Sequence, residues 1–313
     1  MELLTNSSKN KYQECPREFL YHHEQGYKPA RESAALSRGR MIHECLESYY
    51  KNEASKIAGI IATEPDKYKQ EFYLAIINGY ALRYPEFKEP VAVEKEFQIN
   101  LINPKTGAKS RTFDLAGKID VLFSDSIMEH KTTVNDISKP DSNYWLKLTI
   151  DPQVTGYFLG AETMGYKPQK IIYDVIGIPN VKPKMATPLN ERKYKKTKDG
   201  SKGDLYANQR AIDETPEEYG VRIATAIAEN PDRYYQRRDL VRIQSDIIEY
   251  LGDMWGVGKQ IMESRNTDSW PRRPSQCFNM GKCSYYPVCS NMADLNDESM
   301  YSKVTKQNEE LSI

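Results

Sequence analysis

The residues between positions 117 and 131 have the types and spacing that hydrolysis at a metal ion requires. They read GKIDVLFSDSIMEHK, two short apolar runs joined by turn residues at 124–126, which predicts a β-hairpin or a bent pair of strands. Asp120 lies in the first run, where β-propensity disfavours it. Glu129 and Lys131 are two apart and would project from one face of the second strand. If the strands pair, the two carboxylates converge and repel each other unless a cation lies between them.

Hard divalent ions such as Mg²⁺ bind carboxylate oxygens, and a lysine beside them can orient or polarise a metal-bound water. The sequence therefore contains the outline of a hydrolytic metal site at Asp120, Glu129 and Lys131. The alternative is that all three are ordinary solvated strand residues, since surface charges are the norm. The pattern D…ExK is short enough to occur by chance in many chains.

The elements that would position these residues alternate between helical and strand patterns. Strand patterns cover residues 91–101, 111–123 and 170–178, and helical patterns cover residues 7–27, 36–50, 64–83, 144–165 and most of 216–264. This order predicts an α/β fold with a mixed central sheet flanked by helices. No apolar run approaches the length of a membrane span, and the first residues lack the apolar core of a secretory signal. We therefore expect no membrane partner and a cytoplasmic location.

Composition leaves the partner open, because 44 Lys and Arg balance 44 Asp and Glu in a chain of 313 residues. The local distribution is more informative. Residues 181–203 hold eight Lys or Arg against two acidic residues, and this basic segment is either a solvated flexible loop or a phosphate-contacting one. The candidate DNA-binding residues are Lys182, Lys184, Arg192, Lys193, Lys195, Lys196 and Lys198. A second cluster, Arg233, Tyr234, Tyr235, Arg237, Arg238 and Arg242, suits contact with a single strand.

The five cysteines do not fit a disulfide framework, because their number is odd and the chain has the features of an intracellular protein. Cys277, Cys283 and Cys289 recur at equal intervals, which favours a soft-metal or iron–sulfur site. Cys15 is the best candidate for a fourth ligand. A Cys₄ zinc site is the structural alternative, and three unligated thiols are the simplest one. Cys45 lies in the apolar stripe of a helix, which predicts a core residue.

Taken in chain order, these motifs resemble the PD-(D/E)XK nucleases of the RecB type, close to the Cas4-like and AddB-like iron–sulfur exonucleases. The resemblance spans about residues 7–290. The matching segments are YQECPREFLY around Cys15, GRMIHE at 39–44, GKID at 117–120, EHK at 129–131, QVTGY at 153–157, which matches the family's QxxxY helix, and the three closing cysteines.

The resemblance implies a single nuclease domain over residues 1–290 with a restriction-endonuclease-like core at about 90–180. Helical additions would occupy residues 7–85 and 216–264, and a cysteine-rich iron–sulfur segment at 277–289 would be joined to Cys15. Residues 291–313 would form a polar, frayed tail.

The resemblance also implies roles for individual residues. Asp120 and Glu129 would hold Mg²⁺ or Mn²⁺, with His43 as a further ligand and the backbone carbonyl of His130 joining them. Lys131 would position or activate the attacking water.

Two further sets of residues receive roles from the same resemblance. Gln153 and Tyr157, one helical turn apart, would orient Lys131 and the scissile phosphate. A [4Fe–4S] cluster, with structural Zn²⁺ as the alternative, would be held by Cys15, Cys277, Cys283 and Cys289.

The predicted function is a metal-dependent DNA nuclease, an exonuclease acting on single-stranded DNA or DNA ends in recombination, repair or phage DNA processing. The location would be the cytoplasm of a bacterium or of a phage-infected host. No GxxxxGK[ST] segment is present, so an ATP motor would come from a helicase, with a recombinase or another replication or repair protein as further partners. A homo-oligomer stays open. The alternatives are a catalytically silent DNA-end-binding subunit on the same fold and a zinc-stabilised structural protein.

Overall fold

The computed structural model describes residues 1–199, 201–279, 281–304, 308 and 311–312. Its strands are β1 (Glu2–Leu4), β2 (Tyr27–Pro29), β3 (Ala92–Ile102), β4 (Lys109–Leu122), β5 (Ser126–Thr133), β6 (Lys170–Gly177), β7 (Tyr194–Lys196), β8 (Lys202–Leu205), β9 (Tyr235–Leu240) and β10 (Tyr301–Lys303). Its α-helices are α1 (Asn6–Glu14), α2 (Pro16–Phe19), α3 (Ala34–Tyr50), α4 (Ile57–Ala62), α5 (Lys67–Arg83), α6 (Asn143–Thr149), α7 (Pro152–Thr163), α8 (Pro216–Glu229), α9 (Gln244–Thr267) and α10 (Tyr286–Cys289).

The central sheet has six strands in the order β1–β4–β5–β6–β9, with β3 on the other edge of β4. Pairing is parallel for β1 with β4 and for β5 with β6, and it is antiparallel for the other neighbours. The sheet is therefore mixed, as the sequence predicts.

Helices cover both faces of this sheet, and each face has its own apolar core. One core includes Val154 from α7 and Met254 from α9. The other includes Ile42 from α3, Ile76 from α5 and Ile223 from α8. Burying both faces of the sheet is typical of an α/β protein, so the predicted α/β fold with flanking helices is confirmed.

Two predicted helical stretches are interrupted. The stretch 144–165 is broken between α6 and α7, because Asp151 caps the second helix and Pro152 occupies its first position, a sequence that starts helices rather than continuing them. The stretch 216–264 contains the sheet strand β9 between α8 and α9. The prediction that this region is mainly helical is confirmed, and residues 235–240 are the strand within it.

The predicted frayed tail is also wrong in part. Strand β10 pairs antiparallel with β2, and the Tyr301 ring, 2% exposed, stacks on Tyr285 with ring centroids 5.6 Å apart. Residues 305–307, 309–310 and 313 of the tail lie outside the described residues. None of the described helices combines the length and the apolar composition that crossing a bilayer requires.

Candidate active site

The candidate catalytic residues lie where the sheet opens beside β4. On the edge of β4 opposite β3, Phe113–Leu115 pairs with β1 and Val121–Leu122 pairs with β5. The pairing with β5 ends just before Asp120. There the Asp120 carboxylate Oδ2 accepts a hydrogen bond from the backbone N–H of His130 at 2.8 Å. This side-chain hydrogen bond takes the place of the next backbone hydrogen bond between β4 and β5. The two strands therefore separate at Asp120, where the catalytic side chains lie.

Glu129 lies beside Asp120 in a buried position, 2% exposed. Burial and the neighbouring charge of Asp120 raise the pKa of Glu129 to about 7, against the opposing effect of Lys131. Burial likewise raises the pKa of Asp120. Glu129 Oε1 accepts from Lys131 Nζ at 2.7 Å, while Oε2 is buried and has no hydrogen-bond partner within the described residues. A buried carboxylate pair with a free oxygen is a site of strong negative potential.

Lys131 continues into a chain of hydrogen bonds that reaches α7. Its Nζ donates to Gln153 Oε1 at 2.6 Å, and Gln153 Nε2 donates to the Tyr157 hydroxyl at 2.6 Å. Burial lowers the pKa of Lys131, but the neighbouring charge and hydrogen bond of Glu129, with nearby Asp151 and Asp120, outweigh burial and raise that pKa to about 12. The cap at Asp151 places Gln153 in the first turn of the helix, and the QxxxY spacing puts Tyr157 one turn further on, where its hydroxyl holds the Gln153 amide that contacts Lys131.

His43 approaches the site from α3 on the other side of Asp120. Its Nδ1 lies 3.8 Å from Asp120 Oδ2, and its ring meets the His130 ring edge-on at 6.0 Å between centroids. Burial and the neighbouring His130 lower the pKa of His43. The imidazole is therefore neutral, which is the form that binds metal ions.

The structure thus brings His43, Asp120, Glu129, Lys131, Gln153 and Tyr157 together. In the parts of the chain that the structure describes, however, no group of three or more His, Cys, Asp or Glu side chains is arranged around a metal position. Glu129 is turned towards Lys131 instead. The side chain of His130, to which the sequence analysis gave no role, points to the opposite face of β5 and contacts Asp174 at 2.9 Å.

A cavity of 310 Å³ adjoins these residues and is lined by Asp120, Gln153, Tyr157 and Lys118. Lys118 forms an ion pair with Glu94, whose backbone has the left-handed φ of 54°. Neither residue has a role predicted from the sequence. Lys118 could have been noticed within the GKID segment, whereas the unusual backbone of Glu94 leaves no trace in the sequence.

The basic segment 181–203 forms the small β7–β8 hairpin and the chain that leads to it. Six of its seven candidate DNA-binding residues are exposed, namely Lys182, Lys184, Lys193, Lys195, Lys196 and Lys198. Arg192 differs, because its guanidinium donates to the backbone oxygens of Thr187 and Ala211 at 2.8 and 2.7 Å. Arg192 therefore stabilises the segment, and the lysines are the groups open to solvent.

Glu214 anchors the base of this segment. Its carboxylate accepts from Arg222 Nε and Nη2 at 2.7 and 2.6 Å and from the backbone N–H of Lys184 at 2.7 Å. The hydrogen bonds from Arg222 lower the pKa of Glu214 to about 2. A charge-assisted, bidentate pair of this kind is among the stronger polar contacts in proteins.

The substitution Glu214→Gln should lower the free energy of unfolding at pH 7 by about 1.5–3 kcal/mol, because a hydrogen-bonded charge is lost. The folded pKa of about 2 lies below the ordinary 4.5, so this stabilisation is complete above about pH 4.5 and is lost as the pH falls towards 2. Urea unfolding between pH 7 and 3 measures it. The control Glu53→Gln removes an exposed ion pair with Lys56 and should have little effect. A pH-independent difference would contradict the prediction.

The second basic cluster is occupied by internal contacts. Arg237 binds Asp174, Arg238 donates to the backbone oxygen of Pro140, and Arg242 donates to Thr155 Oγ1, each at 2.8–3.0 Å. The Tyr235 hydroxyl donates to the backbone oxygen of Ile76. These polar groups therefore have partners within the protein, whereas Arg233 is exposed, and contact of this cluster with single-stranded nucleic acid stays a prediction.

The four candidate cluster cysteines approach one another. Cys283 donates its backbone N–H to the oxygen of Cys277 at 2.8 Å, and Cys15 is close enough to Cys283 and Cys289 to influence their pKa values. All are free thiols, and burial raises the pKa of Cys283 to about 11. As at the catalytic residues, the described chain shows no closed metal-holding set here. Cys45 is fully buried, so its predicted place in the core is confirmed.

Comparisons with known proteins give a family and a similar solved structure. None of the curated proteins matches the sequence. The fold is similar to the crystal structure of a protein from Eubacterium rectale named as a candidate exonuclease, with a TM-score of 0.43, 11% sequence identity and coverage of 88% of this chain and 86% of that chain. The family model of the PD-(D/E)XK nuclease superfamily matches residues 4–290. Because this match covers nearly the whole chain, the protein belongs to the PD-(D/E)XK nuclease superfamily and is a hydrolytic nuclease.

Proposed function

We propose that the protein is a divalent-metal-dependent deoxyribonuclease of the RecB type that acts as an exonuclease on single-stranded DNA or DNA ends. The observation that carries this proposal is the pair Asp120 and Glu129. Burial and mutual repulsion raise the pKa of Glu129 to about 7, and its Oε2 has no hydrogen-bond partner within the described residues. Such a pair is stabilised when a hard cation enters.

The residues fit Mg²⁺ or Mn²⁺, with Asp120, Glu129, His43 and the backbone carbonyl of His130 as the proposed ligands. The ion would lower the pKa of a bound water and neutralise charge on the phosphate. A turn of Glu129 away from Lys131 would complete the ligand set, since its bond to Lys131 now occupies Oε1.

The protonation state of Lys131 limits the roles that this residue can have in the reaction. With a pKa raised to about 12, it is an ammonium at neutral pH and donates hydrogen bonds. We therefore propose that it orients the attacking water and stabilises a phosphate oxygen, and that it does not take a proton. Gln153 and Tyr157 hold it in place through their hydrogen-bond chain.

The exposed lysines of the basic segment are the proposed contacts to the DNA backbone. Phosphate contacts of this kind give affinity without sequence preference, which suits degradation of any end. Acting in recombination, repair or phage DNA processing, such an enzyme would work beside a helicase or a recombinase in the cytoplasm. The proposed nuclease domain extends over residues 1–290.

We further propose that Cys15, Cys277, Cys283 and Cys289 hold a [4Fe–4S] cluster, with zinc as the alternative. The support is that four unpaired thiols from both ends of the chain approach one another. Thiolate ligands are what such clusters require. Anaerobically purified protein should be brown, with a broad visible absorbance that Cys283→Ser removes. Colourless protein containing bound zinc would support the zinc site instead.

Cleavage of end-labelled DNA tests the proposed activity. Linear single strands and duplexes should be degraded with Mg²⁺ or Mn²⁺ and stay intact with a chelator, while circular forms of the same sequences should persist. Degradation of circular DNA at the same rate as linear DNA would show that the protein is an endonuclease and contradict the proposed exonuclease activity. Binding of ends without cleavage under any metal condition would support the silent subunit.

A further inference from the structure

A second group of buried charges lies directly behind the strand that carries Glu129 and Lys131. In the strand registers, His130 of β5 is opposite Asp174 of β6, and Asp174 is opposite Arg237 of β9. The three side chains form a row across the sheet on the face opposite Glu129, because neighbouring residues of a strand project to opposite faces.

Asp174 is the centre of this row and is fully buried, with 0% exposure. Its Oδ1 accepts from Arg237 Nε at 3.0 Å, and its Oδ2 contacts His130 Nδ1 at 2.9 Å and accepts from the Tyr80 hydroxyl. Within the described residues the other ring nitrogen of His130, Nε2, is buried without a hydrogen-bond partner. Among hydrogen bonds, then, the one to Asp174 orients the imidazole.

Two tyrosines connect the row to the helices that cover it. The hydroxyls of Tyr50 on α3 and Tyr80 on α5 lie 2.8 Å apart, and Arg237 Nη2 donates to both at 2.9 Å. The Tyr50 ring also packs on His130, with 5.3 Å between centroids. Tyr50 follows His43 by seven residues, two turns of the same helix, so it lies on the same side of α3.

His130 and Tyr50 connect this row of charges to the candidate catalytic residues. The side chain of His130 contacts Asp174, while its backbone N–H donates to the Asp120 carboxylate. Tyr50 in turn holds the helix from which His43 reaches Asp120. Apolar side chains would pack a sheet against helices at lower cost, because buried charges must first be desolvated. A fully connected polar network instead specifies one arrangement of the elements that share it.

We propose that Asp174 and Arg237 are positioning residues of the nuclease reaction: through His130 and Tyr50 they hold β5 and α3 in the arrangement that brings Asp120, Glu129 and His43 to one metal ion. The proposal rests on the proposed metal-dependent activity. It requires no direct contact of Asp174 or Arg237 with the substrate or the ion.

The substitution Asp174→Asn tests this, because the amide has the same shape but no charge to hold Arg237 and His130. Asp239→Asn is the matched control: it removes an ion pair with Lys170 between the same two strands, β6 and β9, at 2.5 Å on the exposed surface. Three quantities are compared in both variants and the parent: Mn²⁺ binding by electron paramagnetic resonance, kcat and KM on end-labelled single-stranded DNA, and the thermal midpoint.

Asp174→Asn should weaken Mn²⁺ binding and lower kcat about 10- to 100-fold each, the range for residues that orient metal ligands, with KM changed less than about twofold. Asp239→Asn should match the parent. If Asp174→Asn does not fold, Tyr50→Phe removes only the hydroxyl and should weaken Mn²⁺ binding in the same direction. Folded Asp174→Asn with parental Mn²⁺ binding would overturn the proposal, and so would equal losses in both variants. If the parent binds Mn²⁺ but cleaves no DNA, the proposed function fails, and the Mn²⁺ comparison still tests the positioning role.

Discussion

Replacing Lys131 by alanine should lower kcat about 10²- to 10³-fold while KM for DNA changes little. A single donor aimed at charge that develops in the transition state has an effect of this size. The ammonium donates to Gln153 Oε1 at 2.6 Å, and this contact keeps it in position when Glu129 turns away towards the metal ion. Because the proposed contact is with charge that develops only in the transition state, the loss falls on kcat.

Single-turnover cleavage of end-labelled DNA, with enzyme in excess, measures this effect. Lys131→Met keeps the length and apolar volume of the side chain and should be as inactive as Lys131→Ala. Lys170→Ala, a control in the same sheet whose lysine is partly exposed and pairs with Asp239, should retain parental activity. Equal degradation by the parent and Lys131→Ala would remove Lys131 from the reaction.

Asp120→Asn should abolish activity and yet stabilise the metal-free protein. The amide oxygen can still accept the hydrogen bond from the backbone of His130, but the repulsion with Glu129 disappears. We expect the metal-free variant to gain about 1–2 kcal/mol in free energy of unfolding, which is typical of relieving a destabilised functional site. After burial, the charge of Asp120 is the largest cause that raises the pKa of Glu129, which is the sign of that repulsion.

Urea unfolding with and without Mn²⁺ separates the two effects. Mn²⁺ should raise the free energy of unfolding of the parent in proportion to its binding. Asp120→Asn should have a higher free energy of unfolding without metal, and Mn²⁺ should raise it little. Asp114→Asn is a suitable control, since Asp114 is also a buried β4 aspartate but is hydrogen-bonded by Gln98 and Asn100. A less stable Asp120→Asn, or one still stabilised by Mn²⁺ as much as the parent, would contradict the metal site.

The site residues that could be predicted from the sequence are close to one another along the chain. Glu129 and Lys131 alternate on one strand, and Gln153 and Tyr157 are one helical turn apart, so local geometry alone aligns each pair. Asp120 was recognisable because a carboxylate in a strand is unfavourable unless something uses it. The order of the motifs along the chain, which resembles that of the family, then indicated that these pairs belong to one site. The spacing within each pair could not show this.

The positioning network was not predictable in the same way. Asp174 is a carboxylate within a strand, as Asp120 is, but no neighbouring residue in the sequence indicates its partner, and Arg237 is typical of a basic and aromatic cluster suited to nucleic acid. Their meeting depends on the register of β6 with β9, a long-range pairing that periodicity does not encode. The same limit applies to β10, whose three residues look like a polar tail until β2 is placed beside them.

The pairing of β2 with β10 joins Tyr27 to Lys303, so among the described strands β2 has no partner until residues 301–303 have been made. At about 5–20 residues per second on a ribosome, that delay is roughly 15 to 55 seconds. Cys277, Cys283 and Cys289 are synthesised shortly before β10. Pairing of β2 therefore follows synthesis of the whole central sheet. A nascent chain stalled before residue 301 would present β2 as an open strand edge with which another strand could pair.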